Sequence, residues 1–324
     1  MAITRDSNTS FIEAQQYSQF ILETLHDGLL PTNFYRNVTD FGDGTTLNIK
    51  TVGTATIQEV TENEDITFNP IETGNVQLTI TDHIGDGWFV TDEMRQDGAQ
   101  IEQLTALRGT EATRAIQEHF ETRFLTTMNA GQTDDAPNNV NGFSHRFLGT
   151  GTNETMAEAD LITMRLAFDK ANVPMTGRVA IVDPVVAATF ANSSTLTTFL
   201  NNGGDAQGLS AQLVKDGFDM NHQFVTMLHG WQIWTSNRLP TLAAGAGVDG
   251  TASVTAAGVA NIFMCMADDG CKPGMLAWRQ PPRVESERNI SKRRDEFVQT
   301  ARWGVGVQRV DTLGVIVTDA IAVV

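Results

Sequence analysis

The chain has 324 residues, 41% of them apolar, and a formal net charge of −17. That length holds one large core or two smaller ones, and apolar residues spread along the whole chain belong to a folded protein. The charge excludes a nucleic-acid binder held by a basic face, but suits both an ordinary acidic protein and one that encloses DNA without sticking to it.

The opening residues, Met1 to Asn8, lack a basic stretch followed by an apolar run, so no signal peptide is expected. No apolar stretch reaches membrane-spanning length. The only cysteines, Cys265 and Cys271, have no His nearby and lack a metal-ligand spacing. Two free thiols, buried or half-buried, and synthesis in a reducing cytosol are the expectation.

In chain order, Ser10 and Glu13 form a capping box. The helix they open carries Phe11, Tyr17, Phe20, Ile21 and Leu25, and ends at Gly28 before Pro31. Nothing else folds nearby, so this is a helical arm. Leu47 and Ile49, then Val76, Leu78 and Ile80, alternate with polar residues as strands do. Between them, Gly53 to Asn75 carries Glu59, Glu62, Glu64, Asp65 and Glu72 with no Lys or Arg. Its apolar residues, Ile57, Val60, Ile66, Phe68 and Ile71, are too few for a core of their own. A compact domain rarely tolerates so long an unpacked segment unless it is functional or disordered. Two readings stand: an extended hairpin lying on another molecule, and a solvated surface loop.

Ile101 to Met128 has the longest helical pattern, with Ile101, Leu104, Leu107, Ala112, Ala115, Ile116, Phe120, Phe124 and Met128 on one broad face. About 28 residues give a spine roughly 40 Å long, with Gly109 as its weak point. Gly131 to Gly151 is a polar connection and a candidate domain boundary. Thr155 and Glu158 are a second capping box, before a helix through Leu161, Met164, Phe168 and Ala171 that stops near Pro174. Val179 to Val182 is a short buried strand. Asp183-Pro184 places a carboxylate at an N-cap and proline at the first helical position, opening a helix through Phe190. Asn201-Asn202-Gly203-Gly204 breaks the chain. Strands follow at Phe224 to Leu228, Trp231 to Trp234, Phe297 to Trp303 and Thr312 to Val317, with a Gly/Ala/Thr-rich stretch at Leu242 to Ala260. The order is that of an α+β chain and not of repeated βαβ units.

Catalytic motifs are weak. Gly245-Ala246-Gly247-Val248-Asp249-Gly250 meets the dinucleotide fingerprint by letter, but Pro240 precedes it and Thr, Val and Gly fill the supposed helix, so a flexible loop is expected. No Gly-x-Ser-x-Gly elbow or phosphate-binding loop occurs. The histidines are scattered, and the residues between His222 and His229 read as strand. The carboxylates permit glycosidase chemistry without pairing for it. Charge distribution says more: nine of the 22 basic residues lie between Lys272 and Arg309, including Lys292-Arg293-Arg294. A solvated basic face explains such a run. Complementarity between copies explains it equally, together with the basic-free acidic segment. On that reading Glu59, Glu62, Glu64 and Asp65 meet Arg108, Arg114, Arg123 or Lys292-Arg293-Arg294 of a neighbour, with Ile66 and Phe68 as apolar anchors.

The order of elements resembles that of the major capsid proteins of tailed bacteriophages, whose fold is shared with encapsulin shells. Phe41 to Ile49 is similar to the Gly-Asp-Thr-x-x-Ile lead-in to that family's extended loop, and Leu78 to Asp92 to its return strand. Val182-Asp183-Pro184 resembles a recurrent turn. Gly230-Trp231-Gln232-Ile233-Trp234-Thr235-Ser236-Asn237-Arg238-Leu239-Pro240 resembles a segment of many such coats. Gln280 to Glu285 and Trp303 to Val307 are similar to the closing strands. Together these span about Ser10 to Asp319. The resemblance implies an N-terminal helical arm (1–42), an extended β-hairpin loop (43–87), a peripheral domain with the spine helix (88–150), an axial domain (151–280) and closing strands (281–324). It also implies a subunit of hexamers and pentamers enclosing phage genomic DNA in the virion, with no catalytic residue or cofactor to carry over. With the arm starting close to Met1, a separate scaffolding protein is expected, alongside a portal and a cement or decoration protein, after synthesis in the host bacterial cytoplasm. Leu242 to Ala260 stands out as an insertion. An encapsulin-like compartment shell and an acidic cytosolic α+β hydrolase are the alternatives.

Overall fold

The computed structural model describes residues 30–321, apart from 31, 40–43, 54, 56, 61, 64, 67, 69, 99–100, 134–137 and 192–223. The expected arm helix, Glu64, the break at Asn201 to Gly204 and His222 lie outside the described residues.

Early in the chain come β1 (Arg36–Asn37), β2 (Thr46–Val52), β3 (Thr73–Thr79), β4 (Asp82–Thr91), α1 (Asp92–Asp97) and α2 (Ile101–Gly131). Next are β5 (Asn139–Val140), β6 (Phe143–Ser144), β7 (Arg146–Leu148), α3 (Glu158–Lys170), β8 (Arg178–Val182) and α4 (Pro184–Ala191). The remainder is strand: β9 (Phe224–Leu228), β10 (Trp231–Thr235), β11 (Thr241–Leu242), β12 (Gly258–Cys265), β13 (Gly274–Asn289), β14 (Arg294–Val307) and β15 (Leu313–Asp319).

The larger sheet runs β7-β15-β12-β8-β10-β9, with β11 added on β12. β8 is buried at all five positions: after Arg178, which pairs with Asp169, Val179 to Val182 read as a continuous apolar run, and their alternate residues face two different layers. Ala180 and Val182 pack with Trp231, Ile233 and Phe263 against Leu161, Met164 and Phe168 of α3 and Val186 and Phe190 of α4. Val179 and Ile181 pack with Ile262, Met264 and Leu313 against Phe124, Leu125 and Met128 of α2. The core is a helix–sheet–helix sandwich.

The smaller sheet, β1-β13-β14-β4, is built on the long β13–β14 hairpin. One face, with Leu276, Ala301 and Trp303, packs under Ile116 of α2. The opposite face carries Met275 and Ala277, which cover the root of the β2–β3 hairpin. At 31 residues α2 is about 46 Å long, and it touches both sheets. It is embedded from Ala112 onward. Ile116, Phe124, Leu125 and Met128 are buried, whereas Leu104 is 54% exposed and Gly109 faces open space.

Three expectations need correction. The polar connection after α2 is no mere linker: β7 extends the larger sheet beside β15, and His145 and Arg146 are buried. The capping box at Thr155 and Glu158 does not form. The Thr155 hydroxyl instead closes the short turn Thr152–Glu154 by donating to the Thr152 carbonyl at 2.9 Å. The helix starts two residues later, where the Asp160 carboxylate reaches back to the Ala157 N–H at 2.8 Å. Finally, the Gly/Ala-rich stretch is packed. Val248 and Val254 are buried against Ala260, Val315 and Val317, and Gly247 and Ser253 form a β-bridge. The Asp183 N-cap is as expected, accepting from the Val185 N–H at 3.0 Å, and burial pushes its carboxyl above the usual range.

Candidate assembly surface

Strand alternation sets what the β2–β3 hairpin can bury. Leu47 pairs with Leu78 and Ile49 with Val76, so these four share the face turned to Met275 and Ala277. Leu78 is fully buried. The seating is close because the partner strand is glycine there: a Cβ on Gly304 would lie 2.3 Å from the Thr79 carbonyl oxygen, and one on Gly306 2.9 Å from a Leu78 methyl. The ladder ends with the Gly53 N–H donating to the Glu72 carbonyl at 2.8 Å.

Beyond that bond, nothing among the described residues covers the loop. Ile57 and Phe68 are each 94% exposed, Ile71 78%, Ile66 58% and Val60 57%, and Val52 at the end of β2 is 74%. Scattered exposed apolar residues are ordinary, but this many on one projection make it a candidate contact surface. Each Ile or Phe that a partner covers is worth about 1.5–3 kcal/mol before the costs of association. Glu59, Glu62, Asp65 and Glu72 are exposed among them, so the surface is apolar and acidic at once.

The candidate basic partners divide into two groups. Arg108 holds Asp86 at 2.6 Å and Arg123 holds Asp82 at 3.2 Å, both tying α2 to β4. Arg114 holds Glu118 at 3.2 Å, and Arg238 joins the same carboxylate at 3.1 Å. Arg294 pairs with Glu296 at 2.6 Å and lies over the Phe89 ring at 4.3 Å. Lys292 and Arg293 are different: they sit exposed on the turn between β13 and β14. Among the described residues no ion pair joins the acidic loop to this turn. The hairpin root rests near Gly304, and the basic turn precedes Arg294 at the other end of β14, about 33 Å away.

Sequence reading missed the cluster that stiffens that turn. Arg288 grips both Asp92 oxygens at 2.7 Å and reaches Asp295 at 3.0 Å, while Arg95 closes on Asp295 from α1. Hydrogen bonds from Arg288, more than any other cause, hold the Asp92 and Asp295 carboxyls below their ordinary range. Arg288 and Asp92 lie 196 residues apart and Arg95 and Asp295 200, so no local spacing announces the cluster. Among the described residues, no set of three or more His, Cys, Asp or Glu is placed to hold a metal, and no helix is long and apolar enough to cross a membrane.

A sheet carrying a projecting hairpin, with a long helix bridging to a second layered sheet, can be compared with known proteins. The family described as phage capsid protein matches residues 75–318. The chain belongs to the phage capsid protein family. As a member it is a structural protein of the virion capsid, and self-assembly into the shell is its function. Solved capsids share its fold. The capsid of cyanophage P-SCSP1u superposes with a TM-score of 0.69 at 16% identity, covering 95% of this chain and 93% of that one. Mycobacterium phage Che8 gives 0.63 at 19%, covering 95% and 97%, and the capsid of cyanophage Pam1 gives 0.65 at 14%, covering 96% and 99%. No curated protein matches the sequence. Of the readings open from the sequence alone, the family selects the capsid.

Proposed function

We propose that the capsid protein closes its shell by laying the β2–β3 hairpin across a neighbouring copy within hexamers and pentamers. The exposure of Ile57 and Phe68 at the hairpin's end carries this reading, because nothing among the described residues covers them. The acidic residues Glu59, Glu62, Glu64 and Asp65 then steer the loop toward cationic ground, and Ile66 and Phe68 hold it there. Lys292 and Arg293 are the first candidates on the receiving side, since Arg108, Arg114, Arg123 and Arg294 already hold carboxylates of their own chain. The division into arm, hairpin loop, peripheral domain, axial domain and closing strands follows from the same reading, with α2 as the spine between the two sheets.

The wider assignment is of the same kind. The subunit is made in the host bacterial cytoplasm, assembles with a separate scaffolding protein and a portal, takes a cement or decoration protein, and surrounds DNA without reading its sequence. No side chain is assigned a catalytic role. An acidic shell subunit repels the enclosed phosphates, which favours packaging without adhesion.

The test is charge reversal. Single exposed ion pairs are worth only about 0–1 kcal/mol, so one substitution does little, whereas the same contact recurs in every copy of a closed shell. Glu62→Lys, Glu64→Lys and Asp65→Lys together should leave a folded, soluble subunit that fails to form stable particles in sedimentation or electron microscopy. Particles of normal size and salt resistance would remove the loop's charge from the assembly contact.

A further inference from the structure

A cavity of about 280 Å³ opens beneath the middle of α2, on the side turned to β13. Its walls are Leu30, Tyr35, Ile116, Phe120, Trp278 and Pro282, and Gln117 and Glu121 are the polar residues on its rim. The one carboxylate is already occupied. Glu121, 5% exposed, accepts from the Ser236 hydroxyl at 2.8 Å and from the backbone N–H of Leu30 at 3.1 Å, with Arg238 3.7 Å away. A polar ligand would find almost nothing there to recognise it. The occupant that fits is apolar.

Chain continuity identifies it. Leu30 is both a wall of the cavity and the residue whose N–H is tethered by Glu121, so the chain before it arrives at the mouth. Twenty-nine residues precede that point, and Phe20, Ile21 and Leu25 recur among them at helical spacing. Leu25 is five residues from Leu30, a reach of at most about 17 Å, and a turn of helix needs less. A helix there would gather these apolar side chains on one face, and the cavity is an apolar surface beside its tether.

We propose that this cavity is a docking site for the N-terminal segment of the same chain, filled by side chains from Phe20 to Leu25. Glu121 is the positioning residue, fixing where the segment turns in beneath α2. The site lies on the helix-covered face of the smaller sheet, opposite the hairpin, so it is independent of the hairpin contact.

Photocrosslinking tests it on the full-length protein. Phe20→p-benzoylphenylalanine and, separately, Leu25→p-benzoylphenylalanine would be prepared in ordinary and heavy-isotope forms, mixed, assembled and irradiated. The expected result is cross-linked peptides joining the probe to residues 116–124 or to the strand around Trp278, all of them pairs of one isotope. Mixed-isotope pairs would overturn the proposal by showing that a neighbour's segment fills the site. Cross-links elsewhere from both probes would overturn it outright. Should either probe prevent assembly, hydrogen exchange on soluble subunits decides. Leu25→Asp should speed exchange at residues 114–124 and leave β12 unchanged, and unaltered exchange at 114–124 would sink the idea.

Discussion

The loop of the β2–β3 hairpin, residues 53–72, and the segment 243–257 between β11 and β12 share a composition of small and polar residues without Lys or Arg. The hairpin loop has the richer apolar content, with five large side chains, all exposed. The other segment has only Val248 and Val254 of comparable size, and both are buried. What separates them is whether the described residues of the same chain supply a surface that covers each. Val248 and Val254 flank the bridge between Gly247 and Ser253, so both turn onto Val315 and Val317 of the same chain. Asp249 fastens the intervening turn by accepting from the Thr251 and Ala252 N–H groups at 3.0 and 2.6 Å. Arg146 fastens its side, donating to the Val248 carbonyl at 2.7 Å. Apolar content alone therefore does not mark a core; apolar content facing the parent chain does.

Truncation should separate the two regions sharply. Val248→Ala and Val254→Ala each remove buried carbon and leave a cavity, so each should cost the subunit about 2 kcal/mol, read from chemical denaturation of the unassembled protein. An effect near zero would return this segment to the status of a loose loop. Ile57→Ser with Phe68→Ser should change subunit stability by no more than about 0.5 kcal/mol, as surface substitutions do, while particle yield collapses. Equal losses in both measurements would show that the hairpin loop packs on its own chain after all.

A smaller effect sharpens the contrast through pH. His145 is buried beneath β15, with its Nδ1 3.3 Å from the Asn138 carbonyl, and burial lowers its pKa. A base with a depressed folded pKa contributes fully above its unfolded value, near 6.5, and the contribution is lost as pH falls through the folded value. Subunit stability should therefore decline below about pH 6.5 in the wild-type protein, and His145→Gln should flatten that slope. The hairpin side lacks such a group, so protease sensitivity of residues 53–72 should stay constant over the same range. A slope that persists in His145→Gln would assign it to another group.

Much of this architecture was legible because it rests on local periodicity. The α2 helix, the strand Val179 to Val182 and the Asp183-Pro184 helix start are where spacing and capping put them. The hairpin's alternation, Leu47 and Ile49 against Val76 and Leu78, also fixes which face is covered. What escaped depends on distant partners. Nothing near Glu121 in sequence marks it as buried, since Ser236 lies 115 residues away and Leu30 lies 91. Thr155 and Glu158 have the letters of a capping box, but the turn at Thr152 captures the threonine first. The exposure of Leu104 was equally hidden, because the helical pattern continues past the point where the sheets stop covering it.

The glycines at 304 and 306 bear on the mechanics of the shell. Gly304 lets the Thr79 backbone approach and Gly306 leaves room for the Leu78 side chain, so the hairpin root seats closely, and its strands extend seven residues from there, roughly 23 Å. Over that length a tilt of about 10° at the root displaces the far end by roughly 4 Å, close to one strand spacing. On the proposed hairpin contact, a small change of angle at the root would be enough to meet neighbours at the differing angles that a closed surface demands.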